Sequence, residues 1–329
     1  NMGRRMCEKY PQALEKYEVS KDLSGLTMEQ LWMDPNTKQT PQSILTGCVT
    51  FTCAQIAVRR HLEQNEGLEP RVMSETDAEV MWAGFSAGMY PGTWASGALR
   101  NYKKFIGLVQ KRADCMGMIS FDDPCMMKIE GNVARIEKIL QECGIEISLD
   151  HDDDIVMVGG YPDDIERAHK TIIEIGDVVG DVNAKKIEGV KGPYHTRAFE
   201  WVAKYIFKPI LRKVRFRRPK QGTLISNVTA DALSGRPKEL KVDLTQQLYK
   251  RVRWKDMMKR WAFNLTPDPE TGDYIPNQEP VDVLAVALGP GGRYFIKLLK
   301  RAGYNLRVLD LSDERRLTNT NIECINAST

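Results

Sequence analysis

Gly84-Phe85-Ser86-Ala87-Gly88 is a G-x-S-x-G pentapeptide, and the fold of the chain is read outward from it. In that motif a strand ends, the chain turns sharply, and a helix begins with the serine at the corner. Both glycines are read as steric necessities, because a side chain at either would meet the neighbouring strand or helix. The flanks agree. Val80-Met81-Trp82-Ala83 is a short apolar run suited to a buried strand. From Tyr90 to Arg112, apolar residues recur near helical spacing at Trp94, Ala98, Leu99, Tyr102, Phe105, Ile106 and Val109. Pro91 falls in the first turn, where proline is tolerated. The pentapeptide also arises by chance, so an ordinary glycine-rich strand-to-helix turn stays open on these residues alone.

A chain of 329 residues can bury a substantial core and suits one large domain or two unequal ones. Its formal net charge of +3 is small for this length and excludes nucleic-acid binding by overall charge. No apolar run reaches ~18 residues, so no membrane span is expected, and no signal peptide is read at Asn1. The seven cysteines are odd in number and scattered, without C-x-x-C pairs. Free thiols in a reducing, intracellular compartment are expected, with no disulfide framework and no metal site.

In chain order, residues 1–40 read as short helices broken at Asp22, Gly25 and Pro35, with a small helix over Met28–Met33. Pro41 opens a predicted long helix to about Asn65, whose inner face is Ile44, Leu45, Cys48, Phe51, Ile56 and Leu62. A helix, a buried strand, a tight turn and another helix indicate a wound, mostly parallel α/β sheet. The texture changes near Met116. Strand Cys125–Ile129, helix Asn132–Cys143, strand Ile145–Leu149, an acidic turn over 150–154, strand Ile155–Val158, helix Pro162–Ile175 and a strand between Val178 and Val190 follow. The order β-α-β-β-α-β predicts a ferredoxin-like α+β insert. Residues 117–190 are therefore assigned to the insert, and 1–116 with 191–329 to a large, hydrolase-like α/β domain. In the returning domain the pattern predicts helix Ala198–Leu211, strand Leu224–Val228, helices Val242–Lys250 and Trp254–Phe263, and an exposed loop over Thr266–Pro280. Strand Val281–Leu288, helix Tyr294–Ala302 and a short strand from Leu306 close the chain.

A serine needs a neighbouring base, and histidine is the usual one near neutral pH. The chain has four. His61 follows Arg59-Arg60 and reads as solvated. His151 lies among Asp150, Asp152, Asp153 and Asp154, whose charges should raise its pKa and keep it cationic. His169 sits on the polar side of its helix. His195, in Gly192-Pro193-Tyr194-His195-Thr196, opens a helix of the large domain and has the setting of an active-site residue. A loop histidine satisfied by backbone groups stays open for it at this point.

Three segments, taken together and in this order, resemble the malonyl-CoA:acyl carrier protein transacylase family: Gly84 to Gly88, Arg112-Ala113-Asp114-Cys115-Met116, and Gly192 to Thr196, with the small insert between the last two. Ile225-Ser226-Asn227-Val228, Gln247-Leu248-Tyr249 with Val252 and Trp254, and Gly289-Pro290-Gly291 extend the likeness, which runs from about residue 2 to 301. The resemblance implies ping-pong malonyl transfer from malonyl-CoA, through a seryl ester, to the phosphopantetheine thiol of acyl carrier protein, for fatty acid synthesis. It implies Ser86 as nucleophile and His195 as general base and acid. It further implies a backbone carbonyl at Gln247 orienting His195, Arg112 pairing with the malonyl carboxylate, Asn227 lining the pocket and the Ala87 N–H donating to the oxyanion. A guanidinium is always charged, and its fork fits a carboxylate with two parallel hydrogen bonds. No permanently bound cofactor is implied. Discrete members of the family serve bacteria, plastids and mitochondria, so a mitochondrial matrix or bacterial-type cytoplasm is the expected location.

The chain also departs from the family. Phe85 stands where the family has histidine and Met89 where it has glutamate, so the pocket wall and the bonds at the turn must differ. The acidic run 150–154 replaces an Asn-x-Pro-x-Gln. The family's first strand and its G-Q-G-S-Q loop, which supplies a second oxyanion N–H, have no counterpart within these 329 residues, since Asn1-Met2-Gly3 matches the residues just after it; either that segment precedes Asn1 or the protein lacks it, and with it one oxyanion donor. These departures support an alternative, a catalytically weakened relative that binds or scaffolds within a larger assembly; a serine hydrolase is a more distant one. Two basic clusters bear on partners: Lys208, Arg212, Lys213, Arg215, Arg217, Arg218 and Lys220, then Lys250, Arg251, Arg253, Lys255, Lys259 and Arg260. At least one is expected to steer the acidic acyl carrier protein. RNA contact, with Phe216 and Trp254 among the charges, is the weaker expectation, and a solvated face is the plainest one.

Overall fold

The computed structural model describes residues 3–32, 45–50, 52–53, 56, 81–179, 182–220, 222–262, 265–267, 274–276, 283–287, 306–310 and 323–325. The chain divides into two compact units, one of Asn1–Thr37, Thr46–Val80 and Met258–Thr329, the other of Lys38–Leu45 and Met81–Met257. The first unit opens with α1 (Arg4–Lys9), α2 (Pro11–Ser24) and α3 (Met28–Leu31). Asp22, expected from the sequence to break a helix, lies inside α2. The breaks fall at Tyr10, extended ahead of Pro11, and at Gly25, whose φ of 70° suits only a residue without Cβ strain. The Thr27 hydroxyl accepts from Gln30 N–H while the Gln30 side chain accepts from Thr27 N–H, a reciprocal cap that starts α3. Residues 45–50 are helical, with Leu45 and Cys48 buried as predicted. Ile44, Phe51 and Leu62, and the helix ends at Pro41 and Asn65, lie outside the described residues, as do Pro35 and His61.

In the second unit, β1 (Met81–Trp82) leads to a 3-10 turn over Ser86–Gly88 and then α4 (Met89–Ala95) and α5 (Tyr102–Gly117). The sequence predicts one helical region here. The structure has two helices, because Gly97 takes φ 75° and Asn101 caps α5, its side chain accepting from Lys104 N–H at 2.9 Å. The face of α5 carrying Phe105, Ile106, Val109, Arg112 and Met116 is buried.

β2 (Met126–Gly131), α6 (Val133–Glu142), β3 (Glu146–Asp152), β4 (Ile155–Gly159), α7 (Pro162–Val179) and β5 (Val182–Lys186) follow. The four strands form one sheet in the order β3-β4-β2-β5, every neighbouring pair antiparallel. Met127, Ile129, Val156 and Val158 on one face pack against Ile136, Leu140, Ile165, Ala168 and Ile172 of α6 and α7. Each such fully buried aliphatic side chain contributes about 1.5–3 kcal/mol. The alternate residues Met126 and Leu149 pack with Val190 and Val252, with Tyr194 and Trp254 alongside. Val252 also extends the sheet, since its N–H donates to Ser148 O at 2.8 Å and its carbonyl accepts from Asp150 N–H at 3.0 Å. The acidic run is therefore mostly strand, not the turn predicted from it. β3 continues through Asp152 because Asp150 is buried against the Arg251 guanidinium.

After β5, a 3-10 turn (Arg197–Phe199), a π-helix (Val202–Phe207) and α8 (Lys208–Lys213) replace the single α-helix expected over Ala198–Leu211. Pro209 lacks an N–H, and the wider π turns ahead of it accommodate the missing bond. β6 (Thr223–Leu224) pairs parallel with β1. It is shorter than the strand predicted to Val228, because the chain turns at 227–229, and only Ile225 bridges to Ala232 beyond it. α9 spans Pro237–Gln246 rather than Val242–Lys250, with Pro237 in its first turn. α10 (Trp254–Met257) is followed by a π-helix over Met258–Ala262.

The first unit holds the remaining strands. β7 (Leu265–Pro267) and β8 (Tyr274–Pro276) form an antiparallel pair inside the stretch predicted to be loop. β9 (Val283–Ala287) and β10 (Leu306–Asp310) are parallel, and β11 (Glu323–Ile325) adds antiparallel to β10. Gly289 to Gly292 and the predicted helix Tyr294–Ala302 lie outside the described residues. The architecture is mixed α/β with one antiparallel four-stranded sheet. Cys7, Cys53, Cys115, Cys125 and Cys143 are free and buried, and Cys48 is buried. Among the described residues no helix is long and apolar enough to cross a membrane.

Candidate active site

Ser86 stands four residues past the end of β1, at φ 49°, in the left-handed region that a β-carbon disfavours. A backbone held there is strained and needs outside support. The support comes from two side chains distant in sequence. Asn227, in the turn after β6, accepts from Ser86 N–H at 2.9 Å and donates from Nδ2 to Gly84 O at 2.8 Å. Gln247, at the end of α9, donates from Nε2 to Ser86 O at 2.7 Å. Gly84 is required by packing, since a Cβ there would lie 2.2 Å from the Gly88 carbonyl carbon. Gly88 is not, contrary to the expectation for both glycines. A Cβ there would meet nothing within 4 Å.

The Ser86 hydroxyl lies 2.7 Å from His195 Nε2. His195 is buried and also holds a left-handed φ, of 60°. Its Nδ1 lies 2.6 Å from the Gln247 carbonyl oxygen. A carbonyl can only accept, so Nδ1 carries the proton and Nε2 keeps its lone pair for the serine. Burial, and then the Arg112 charge, pull the His195 pKa down to about 3, against the opposing effect of the Gln247 carbonyl. The imidazole is thus neutral at physiological pH and can accept the serine proton.

Arg112, on α5, is 1% exposed. Its Nη2 donates to Ser86 Oγ at 3.5 Å, and its guanidinium carbon stands 5.2 Å from the centroid of the Tyr90 ring. Its Nε has no hydrogen-bond partner, and no carboxylate of the described residues pairs with it. A buried charge without a counterion costs several kcal/mol, and an anion bound beside it would offset that cost. The structure thus brings together Ser86, His195, Arg112, Gln247 and Asn227. Ala87 lies in the 3-10 turn beside the serine.

Three features of the site escape the sequence. Phe85, 37% exposed, stacks edge-on against Trp254 with centroids 5.3 Å apart and lies 6.0 Å from the His151 ring, forming an aromatic rim beside the nucleophile. His151 is not held cationic by its acidic neighbours. Burial lowers its pKa and outweighs the Asp152 charge. Met89 is buried, with its sulfur 3.9 Å from Gln247 Nε2. Of these, only the quoted Trp254 and the departures at Phe85 and Met89 marked the region in advance. His169 meets the Ala184 carbonyl at 3.2 Å, away from the serine.

The two basic clusters differ. Arg251 pairs with Asp150, Arg253 with Asp256 at 2.7 Å and Lys255 with Asp153 at 3.4 Å, so much of the second cluster is internally neutralised. Lys208, Arg212, Lys213, Arg215, Arg217, Arg218 and Lys220 are exposed and make no ion pair with the described residues.

No protein-family model matches the chain, and no curated protein matches its sequence. Solved structures do match in fold. An MCAT from Streptococcus pneumoniae superposes with a TM-score of 0.72 at 20% identity, over 96% of this chain and 93% of that one. The malonyl CoA-acyl carrier protein transacylase from Clostridium perfringens gives 0.73 at 18% identity, over 97% and 90%. An acyl carrier protein S-malonyltransferase from Vibrio cholerae gives 0.71 at 21%, over 96% and 93%. The resemblance first read from scattered motifs thus extends to the fold of these transacylases across nearly the whole chain.

Proposed function

We propose that this protein is a malonyl-CoA:acyl carrier protein S-acyltransferase that supplies malonyl groups for fatty acid synthesis. The observation that carries the reading is Arg112, a buried guanidinium without a carboxylate partner among the described residues, 3.5 Å from the serine hydroxyl. A hydrolase of neutral esters or a scaffold would have no use for that charge. A malonyl thioester brings both the carboxylate to neutralise it and the carbonyl to be attacked.

In this reading Arg112 binds the free carboxylate and so aims the thioester carbon at Ser86 Oγ. The hydroxyl proton passes to His195 Nε2 as the O–C bond forms, while the Gln247 carbonyl holds Nδ1–H and stabilises the imidazolium. The Ala87 N–H donates to the carbonyl oxygen as it gains charge. The intermediate collapses, the C–S bond breaks, and His195 returns the proton to the coenzyme A sulfur. The phosphopantetheine thiol of acyl carrier protein then loses its proton to His195 as its sulfur attacks the seryl ester; the ester C–O bond breaks, and His195 returns the proton to Ser86 Oγ. No permanently bound cofactor takes part.

The same reading assigns Ser86 to a nucleophile elbow on a wound, mostly parallel sheet, supported by the parallel β1–β6 pair and the left-handed serine. It assigns residues 117–190 to a ferredoxin-like insert, supported by the strand order β3-β4-β2-β5. Acyl carrier protein docks on the exposed 208–220 cluster, since it is acidic and those charges have no ion-pair partner among the described residues. The test is transfer of labelled malonyl from malonyl-CoA to holo acyl carrier protein. Transfer that requires Ser86 is expected, and its absence with a carrier protein that a known transacylase charges would refute the assignment.

A further inference from the structure

Asn227 and Gln247, which between them hold Ser86 and orient His195, belong to different elements, the turn after β6 and the end of α9. One side-chain bond joins these elements directly behind the site. The Ser226 hydroxyl donates to Asp243 Oδ1, with Ser226 one residue before Asn227 and Asp243 one helical turn before Gln247. The Gln247 N–H in turn donates to the Asp243 carbonyl at 2.8 Å. The direction of the side-chain bond is fixed, because Ser226 Oγ also accepts from Val228 N–H and Thr229 N–H, both at 3.0 Å. Its only proton therefore goes to the carboxyl group. Ser226 is fully buried and Asp243 nearly so. Asp243 Oδ2 is buried and without a hydrogen-bond partner.

A buried carboxyl with one oxygen unsatisfied is costly to keep, and no step of the proposed reaction uses it. We propose that Asp243 is a positioning residue: through Ser226 it fixes the spacing between Asn227 and Gln247, and so the Ser86–His195 geometry. The inference rests on the proposed roles of Ser86 and His195. Binding residues alone would not need the brace, but a pair set at 2.7 Å would, since misplacement by about 1 Å can cost on the order of 100-fold in rate.

The charge state matters to the brace. Burial, with some repulsion from Glu239 on the same helix, raises the Asp243 pKa to about 6, while the Ser226 hydroxyl opposes the rise. Ionised, Oδ1 is a charge-assisted acceptor and grips Ser226 more tightly than the neutral acid does. The brace therefore tightens as pH rises through the neighbourhood of 6.

The test is Asp243→Asn, which keeps the shape and removes the charge, with Ser226→Ala and the double variant. Thermal melts confirm folding. Seryl acylation by malonyl-CoA should fall roughly tenfold in each single variant, in kcat more than in KM. The double variant should be no worse than Ser226→Ala, because both changes act on one bond, which the asparagine weakens and the alanine removes. The acid limb near pH 6 should vanish in Asp243→Asn. Independently of any substrate, the His195 Nδ1 proton resonance should move in all three variants. A role confined to stability would lower the melting temperature and leave the pH limb and the resonance where they are, which would overturn the proposal. If the parent protein is not acylated at all, the proposed function fails, and the resonance alone still decides the brace.

Discussion

Ser86 Oγ and His195 Nε2 meet at 2.7 Å, and both residues hold left-handed backbone, at φ 49° and 60°. The only other non-glycine residue with positive φ among those described is Ala230. Strain of this kind costs about 1–3 kcal/mol per residue and persists where the surroundings over-determine it. Here the surroundings are Asn227 and Gln247, whose side chains and carbonyl bind Ser86, His195 and the Gly84 carbonyl ahead of the serine. The two strained residues and their two clamps form one unit.

Removing the base tests that unit chemically. His195→Gln should lower acylation roughly 10²–10⁴-fold. It should also change acid stability. The folded pKa of His195 is depressed to about 3 from 6.5, so the unfolded chain binds the proton more readily. Stability from this residue is fully present above pH 6.5 and is lost as pH falls toward 3. Denaturant melts at pH 7 and pH 4 should show a smaller difference in His195→Gln than in the parent. An equal difference in both would show that the imidazole is not held neutral by burial.

The two glycines of the pentapeptide should behave differently. Gly84→Ala places a carbon 2.2 Å from the Gly88 backbone and should cost at least about 3 kcal/mol, with loss of activity. Gly88 has a helical backbone and open space around its Cα, so Gly88→Ala should fall within about 1 kcal/mol of the parent. Paired urea titrations decide this, and equal destabilisation would contradict the packing described.

Arg112 should set the choice of acyl group. Arg112→Ala should lose malonyl transfer and keep or gain acetyl transfer, because acetyl brings no carboxylate to pair. Arg112→Lys should recover malonyl transfer only in part, since a point charge cannot replace the bidentate fork. Competition between malonyl-CoA and acetyl-CoA measures the ratio. An unchanged preference in Arg112→Ala would remove Arg112 from substrate recognition.

Much of this site was legible in the sequence because its chemistry is local or rare. Ser86 announced itself through two glycines and an apolar run, and His195 stood out among four histidines by its setting. What the sequence concealed depends on contacts far apart in the chain. Nothing near Asp150 indicates that Arg251, 101 residues on, will bury its carboxylate and let β3 run through the acidic stretch. The pKa of His151 was read with the wrong sign because charge is visible in a sequence and burial is not. The helical pattern from Tyr90 to Arg112 hid a break that only Gly97 and the Asn101 cap reveal. The second basic cluster looked like the first until its partners, Asp150, Asp153 and Asp256, were seen.

That distinction directs the docking test. Reversing Arg217 and Arg218 to glutamate should slow transfer to acyl carrier protein and leave loading from malonyl-CoA nearly unchanged. The defect should be greatest at low salt, because exposed charges are screened beyond ~8–10 Å at physiological ionic strength. Reversing Arg251 or Arg253 is a poor probe, since it breaks internal ion pairs. Equal transfer rates in the reversed and parent proteins would remove the 208–220 cluster as a docking site.

The most direct measurement is the intact mass of the protein after brief exposure to malonyl-CoA without acyl carrier protein, followed by peptide mapping. A single malonyl adduct on Ser86 is predicted. It should be lost in Ser86→Ala and discharged when holo acyl carrier protein is added. An unmodified serine, under conditions that load a known transacylase, would contradict the assignment of Ser86, His195 and Arg112 to malonyl transfer.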